Sequence, residues 1–355
     1  MVQSKSEKLI LLTGNEAVGR GALKAGLRFF ASYPMTPATS IMHFLASRQK
    51  KNKIIVKQVE DEIAAINMVI GASVAGARSM TATSGGGFAL MSEALGFGSM
   101  IETPFVCVIV SRPGPATGMP TWTGQADLRL VMHAGQDEFP RIILAPGDAL
   151  EAYKLTFDAF NLADKYKLPV LILSDKLLGE SYFTIQASDL RIIDMIQKGD
   201  TFSKIFLANS DEHNAAGYSD DSAENRVKQM IKRMSKLENI IKDKALGLPN
   251  WYGPKKADLT LICWGSTKGV VYEFISTNQD KKINMLHFNY LYPLDVQRIR
   301  KELNKIKSSI CLEGNYSGQF ADFLCEKTGY KCDKKINKFD GRPFFVQDLI
   351  KKINE

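Results

Sequence analysis

Phe105-Val106-Cys107-Val108-Ile109-Val110 is an unbroken apolar run, ended by Ser111-Arg112-Pro113-Gly114. A strand with one wet face alternates apolar and polar residues. A run without alternation is expected where both faces of a sheet are covered, as in parallel sheets flanked by helices. Shorter candidate strands lie on either side of it, at Leu9–Leu12, Ile54–Lys57, Met80–Thr83, Ile142–Ala145 and Val170–Ser174. Between them, helical spacing marks Glu16–Phe30, Ala38–Arg48, Asp61–Ala77, Ala89–Met100 and Ala149–Lys165. This order predicts a doubly wound α/β domain over residues 8–175. Ligands of such sheets bind beyond the carboxyl ends of strands, so the loops that follow strands are the places to look for function.

Residues 180–250 differ. Ser210–Ala223 is polar, and Val227, Met230, Ile231, Met234, Leu237 and Ile241 then recur at three- and four-residue spacing. That spacing predicts an amphipathic helix with a basic outer face, packed on the domain or on a neighbouring subunit. Leu248–Pro254 reads as a linker. A second α/β unit follows, with strands expected at Leu259–Trp264, Ile283–Phe288 and Ser309–Leu312 and helices at Val270–Ser276, Asp295–Asn304 and Gly318–Lys327.

The chain has 355 residues, 45% of them hydrophobic, enough core for two or three domains. Its net charge of +8 is spread along the sequence. It fits a Lys-rich surface or attraction to an acidic partner better than nucleic-acid binding, which needs one basic face. The five cysteines include no CxxC pair, so neither an iron–sulfur nor a zinc site is expected in this chain. Their odd number argues for a reducing compartment and against a disulfide framework. The four histidines are far apart in sequence and are assigned no metal. The N-terminal apolar stretch is too short for a signal peptide, and no run is long enough to span a membrane. The expectation is a cytoplasmic protein.

Four strand-following segments carry candidate chemistry. In Tyr33-Pro34-Met35-Thr36-Pro37, Pro37 suits the first turn of a helix, and Thr36 would then sit at an anion-favouring N-terminus or simply cap it. In Gln58-Val59-Glu60-Asp61-Glu62, three acids open an apolar helix. Acids there favour the helix dipole, but Glu62, beside Ala64, Ala65 and Ile66, is expected to be partly buried and to need a partner. Thr81-Ala82-Thr83-Ser84-Gly85-Gly86-Gly87-Phe88 is a glycine turn that either admits a ligand or serves structure alone. It matches no phosphate-binding pattern. Arg112 is the first charge after Phe105–Val110. It is either a surface arginine or a guanidinium placed for a substrate carboxylate.

Taken together and in order, YPMTP, the EDEIAAI helix ending in GASVAGARS, TATSGGGF and SRPGPATGMPT resemble the alpha subunits of 2-oxoacid:ferredoxin oxidoreductases, above all those acting on 2-oxoglutarate. Cys263–Gly269, Tyr290–Pro293, Glu313–Gln319 and Asp340–Phe344 extend the resemblance over nearly the whole chain, as do Asp211–Asn214 and Gly217-Tyr218. It implies a pyrimidine-binding thiamine-diphosphate domain over residues 1–250, including a helical excursion at 180–250, and a transketolase C-terminal-like domain over 255–355. Glu62 matches the glutamate that bonds the aminopyrimidine ring and favours the imino tautomer needed for thiazolium activation. Thr36 and Arg112 match residues that hold the substrate carboxylate, and the resemblance implies that Pro34, Thr83, Ser84 and Gly85 belong to the cofactor site.

The reaction implied is coenzyme A-dependent oxidative decarboxylation of a 2-oxoacid, with electrons passed to ferredoxin. No GDG…N stretch for a diphosphate and magnesium occurs, and no cysteine set for a cluster. The resemblance places magnesium and a [4Fe-4S] cluster on a beta subunit that completes the site, with gamma and delta subunits as further candidate partners. It also implies the form without a fused gamma-type domain. Gly86, Pro113 and Met35 depart from the usual proline, glycine and isoleucine, and Pro113 leaves substrate choice open. The alternatives are the same reaction on pyruvate or a branched-chain 2-oxoacid, a nucleotide-binding protein using the TSGGG turn, or a nucleic-acid scaffold.

Overall fold

A computed structural model of the chain describes residues 8–190, 209–278 and 282–355. The first stretch runs β1 (Leu9–Thr13), α1 (Gly14–Lys24), β2 (Phe29–Ser32), α2 (Thr39–Ala46), α3 (Gln49–Asn52), β3 (Ile55–Gln58), α4 (Glu62–Val74), β4 (Ser79–Thr83), α5 (Gly85–Leu90), α6 (Ser92–Met100) and β5 (Phe105–Ser111). It continues with α7 (Leu128–His133), β6 (Ile142–Leu144), α8 (Ala149–Tyr166), β7 (Pro169–Asp175), α9 (Lys176–Glu180) and β8 (Tyr182–Gln186). Then come α10 (Ala223–Lys242), β9 (Asn250–Tyr252), β10 (Leu259–Trp264), α11 (Thr267–Thr277), β11 (Ile283–Phe288), β12 (Tyr290–Tyr292), α12 (Val296–Leu303), β13 (Ser309–Glu313), α13 (Gln319–Thr328), β14 (Lys334–Asn337) and α14 (Val346–Asn354).

Among the described residues, the main sheet has the strand order β12-β6-β7-β5-β4-β2-β3 and a second sheet the order β14-β13-β10-β11-β9. In the main sheet β2, β3, β4, β5, β6 and β7 are parallel, and β12 is antiparallel. Every residue of β4, β5 and β7 is buried, which is why β5 and β7 do not alternate, while β4 buries Ser79, Thr81 and Thr83 as well as its apolar residues. Each Val or Ile buried there contributes roughly 1.5–3 kcal/mol. One continuous apolar cluster joins Ile109, Ile143 and Leu173 of the main sheet to Trp264, Phe288 and Phe320 of the second unit.

Several expectations are corrected. The helix expected at Glu16–Phe30 stops at Lys24, because Gly26 takes a left-handed φ of +81°. Phe29 and Phe30 then begin β2. β1 does not join the main sheet. It pairs antiparallel with β8 in a separate ribbon, and Leu9 and Leu11 stay exposed. Pro37 precedes α2 by two residues instead of opening it. The linker contains β9, whose Trp251 lies opposite Leu286. Tyr290 and Tyr292, quoted for resemblance alone, form β12 and pair with Leu144 and Ile143, so the second unit donates an edge strand to the first. Cys311 and Cys332 are paired as one disulfide, a link not anticipated where the cysteine count argued against a disulfide framework.

Residues 191–208 of the excursion lie outside the described residues. In α10 the apolar positions do not all face inward: Val227 and Ile231 are exposed, while Asn225, Gln229, Arg233 and Ile240 are buried. Charge holds this helix. Arg233 donates to both oxygens of Glu212 at 2.7 and 2.6 Å, and Arg226 adds a third bond. These cations pull the Glu212 carboxyl down to about 2. Lys236 pairs with Glu102, just beyond α6, at 2.6 Å.

Gly21 lets α1 lie against α8, since a Cβ there would sit 2.3 Å from the Tyr153 carbonyl oxygen. Gly21→Ala is expected to lower the unfolding free energy by about 1–3 kcal/mol through overpacking, read as a lower denaturant midpoint at unchanged slope. A midpoint equal to wild type would show that this contact does not constrain the packing.

Candidate active site

The four strand-following segments converge on one edge. β2, β3, β4 and β5 all end on the carboxyl side of the parallel sheet and lead into Tyr33–Thr36, Glu60–Glu62, Ser84-Gly85 and Arg112 respectively. Glu62 is the first residue of α4, with Asp61 as N-cap accepting from the Ala64 N–H at 2.7 Å. Asp61 therefore does the capping, and Glu62 turns inward. It is only 3% exposed, and its Oε1 has no hydrogen-bond partner. Burial raises its carboxyl above the ordinary range. Its own N–H and the Thr83 hydroxyl oppose that rise, and Asp61 adds to it.

The glycine segment is not an open turn. Gly85 begins α5, and neither Gly85 nor Gly87 has a positive φ. Their lack of side chains makes room for carboxylates: a Cβ on Gly87 would sit 2.2 Å from Thr83 Oγ1 and 2.3 Å from Glu62 Oε1, and one on Gly85 would sit 2.6 Å from both Asp127 oxygens. With Asp127 there, the turn is a poor place for a nucleotide phosphate. Ser84 is fully buried, and its hydroxyl has no partner. Thr83 Oγ1 lies 3.8 Å from the Met35 sulfur, which ties the β4 end to the YPMTP loop.

Arg112 Nη1 donates to the Thr36 carbonyl at 2.6 Å, so the structure brings these two residues together. Thr36 is exposed and is not at the N-terminus of α2. Pro34 is half-buried in the same loop. Three residues given no role from the sequence complete the edge. Asn15, fully buried, donates to Pro37 O at 2.9 Å and to Ser40 Oγ at 2.8 Å, bracing the loop from behind. Asp127 lies beside the Ser111 hydroxyl and the Arg112 charge. Burial raises its carboxyl, and those two neighbours oppose the rise. Gln125 exchanges hydrogen bonds with Gly314 at 2.7 and 2.9 Å and donates to Trp264 O at 3.0 Å, fastening the Arg112 loop to the second unit. Gln125 and Asp127 follow the quoted loop directly. Nothing in sequence marked Asn15.

A family model described as pyruvate flavodoxin/ferredoxin oxidoreductase, thiamine diphosphate-binding, matches residues 20–243. The chain belongs to this family. Among its relatives, the alpha subunit of 2-oxoacid:ferredoxin oxidoreductase 1 of Sulfurisphaera tokodaii is 36% identical over 98% of this chain. That match covers 61% of the relative, so the chain spans less than two thirds of its length. The 2-oxoglutarate synthase subunit KorA of Methanocaldococcus jannaschii is 33% identical over 83% of this chain and 86% of its own. The 2-oxoglutarate:ferredoxin oxidoreductase of Magnetococcus marinus, solved with 2-oxoglutarate, coenzyme A and succinyl-CoA bound, superposes with a TM-score of 0.90 at 35% identity, over 99% of this chain and 66% of that one. A split-gene transketolase at 11% identity, with a TM-score of 0.57 and 97% of each chain covered, shares the fold. For a chain of this oxidoreductase family, the expected two-unit α/β architecture is therefore found.

Because the Glu62 carboxyl is raised by burial, the folded state holds its proton to higher pH than the unfolded chain does. Linkage then makes this group's contribution to stability fall as pH rises through the window between the two values. Glu62→Gln removes that cost. The variant is expected to melt above wild type at pH 8, with the difference shrinking as pH falls below the ordinary carboxylate range. Equal melting temperatures at both ends would contradict a buried, strained carboxylate.

Proposed function

We propose that this chain is the alpha subunit of a 2-oxoacid:ferredoxin oxidoreductase that converts 2-oxoglutarate to succinyl-CoA, passing electrons to ferredoxin, in complex with a beta subunit. The observation that carries the reading is the buried Glu62 carboxyl, which has an oxygen without a partner at the sheet edge that also holds Arg112 and Thr36.

The residues present fit the ring end of thiamine diphosphate. Glu62 would hold the aminopyrimidine through its unpartnered oxygen, and Pro34, Thr83, Ser84 and Gly85 would line that end. Bound thiamine diphosphate supplies an electron sink for decarboxylation. With its carboxyl raised by burial, Glu62 would be suited to hold or release a proton toward the ring nitrogen of that group. Arg112, bonded through Nη1 to the Thr36 carbonyl, would offer its other N–H groups to the substrate carboxylate. Among the described residues no group of three or more His, Cys, Asp or Glu is placed to hold a metal ion. We assign magnesium and the [4Fe-4S] cluster to the beta subunit, with gamma and delta subunits as further partners.

The surface supports a partner chain that closes the site. α4 is apolar on nearly all sides, yet Ile63 and Met68 are exposed, as are Tyr33 and Leu90 nearby in sequence order along the same edge. Apolar side chains such as these are ordinarily covered. We divide the chain into a cofactor-binding unit, residues 1–250, and a second unit, 255–355. No helix among the described residues is long and apolar enough to cross a membrane, and we place the complex in the cytoplasm.

Anaerobic co-purification is expected to bring down a second chain with thiamine diphosphate and a cluster. The complex should turn over 2-oxoglutarate faster than pyruvate or branched-chain 2-oxoacids, and no turnover of any of them would contradict the reading. Glu62→Gln should leave the complex assembled but abolish turnover, while Arg112→Ala should mainly raise KM for the 2-oxoacid. A wild-type rate for Glu62→Gln would remove the cofactor assignment.

A further inference from the structure

The opposite edge of the main sheet carries a second concave site. It is a cavity of about 400 Å³ lined by Arg20, Lys24, Phe44, Arg48, Lys51 and Tyr153. Lys24 ends α1 and Lys51 lies in α3, and these helices lead into the amino ends of β2 and β3. Glu62 and Ser84 follow carboxyl ends, so the two sites are separated by the length of the strands.

Four cations converge here, and none of them is in an ion pair with a carboxylate among the described residues. Arg48 is fixed in place. Its guanidinium stacks 3.7 Å from the Phe44 ring centroid, and Nη1 donates to Phe44 O at 3.2 Å and to Ser47 Oγ at 2.7 Å. Arg20 lies 5.6 Å from the same ring, and its Nε is buried with no acceptor. Lone cations at helix C-termini are expected from the helix dipole. That does not account for four like charges around one cavity.

We propose that this cavity binds a small phosphate-bearing molecule, with its phosphates between Arg20 and Arg48 and with Lys24 and Lys51 at the rim. Planar guanidinium groups match phosphate oxygens, and rim ammonium groups add charge without fixed geometry. The volume lies within the roughly 300–1,000 Å³ of small-molecule sites. The site is independent of the reaction proposed above, because none of its residues belongs to the carboxyl edge.

Calorimetric titration of inorganic pyrophosphate into the full chain is expected to show one saturable site. Lys24 and Lys51 are exposed, so Lys24→Gln and Lys51→Gln should fold normally. Each should weaken binding about tenfold, equivalent to about 1.4 kcal/mol. Arg48→Gln should weaken it further, and Glu62→Gln should leave it unchanged. A parallel titration with ATP identifies the source: tighter binding than pyrophosphate means that a nucleoside is accommodated, and equal binding means that the phosphates alone are read. Either result supports the site. Absence of saturable binding with both probes, or affinities unchanged in both lysine variants, overturns it.

Discussion

A carboxylate taken out of water without a full set of donors is one of the costlier things a fold can hold, and this fold holds one at Glu62. Its oxygen Oε1 has no partner, Thr83 stands beside it, and Gly87 is bare so that the group fits. Around it the chain is constrained on several sides. Asp61 takes over the cap of α4, leaving Glu62 free to turn inward. Asn15 braces the loop that carries Thr36, and the Thr36 carbonyl in turn aims Arg112. An arrangement that keeps an unsatisfied acid buried gives up stability for a poised proton acceptor, a trade that active sites commonly make.

The second unit contributes to the site through the loop that follows Arg112. Gln125 stitches that loop to Gly314 and Trp264, and β12 extends the main sheet by one strand. Lys268 of the second unit reaches Glu151 of α8 at 2.6 Å beside the fully buried His287, whose imidazole is held neutral by burial and by the Lys268 charge. The units are thus joined by sheet pairing, a shared apolar core and a buried charge network. The loop that follows Arg112 is thus fixed at its far end by the second unit, while Arg112 itself is held by the Thr36 carbonyl.

The central strands β5 and β7 were legible in the sequence because they are covered on both faces and leave continuous apolar runs. β1 was legible as a strand but not in its pairing, since a short apolar run does not say which neighbour it takes. β2 was hidden because Phe29 and Phe30 continue the helical spacing of α1, and the left-handed turn at Gly26 that ends the helix leaves only a glycine as its trace. β9 and β12 are short edge strands whose identity comes from tertiary contact. Of the site, Glu62, Thr36 and Arg112 were named from their motifs, and the structure sets them on one edge. Asn15 and Asp127 were not given roles, because their importance lies in what they touch across 22 and about 40 residues of chain. The glycine segment left a ligand turn and a purely structural one open, and Gly85 and Gly87 make room for the chain's own Asp127 and Glu62.

In the proposed function Glu62 acts directly on the thiamine ring. The measurement closest to that claim is the exchange of the thiazolium C2 proton for deuterium, followed by NMR after quenching, in the assembled complex loaded with thiamine diphosphate. The wild-type complex should exchange this proton far faster than the free cofactor, and Glu62→Gln should return the rate close to that of the free cofactor while the cofactor stays bound. Equally fast exchange in the variant would contradict the account.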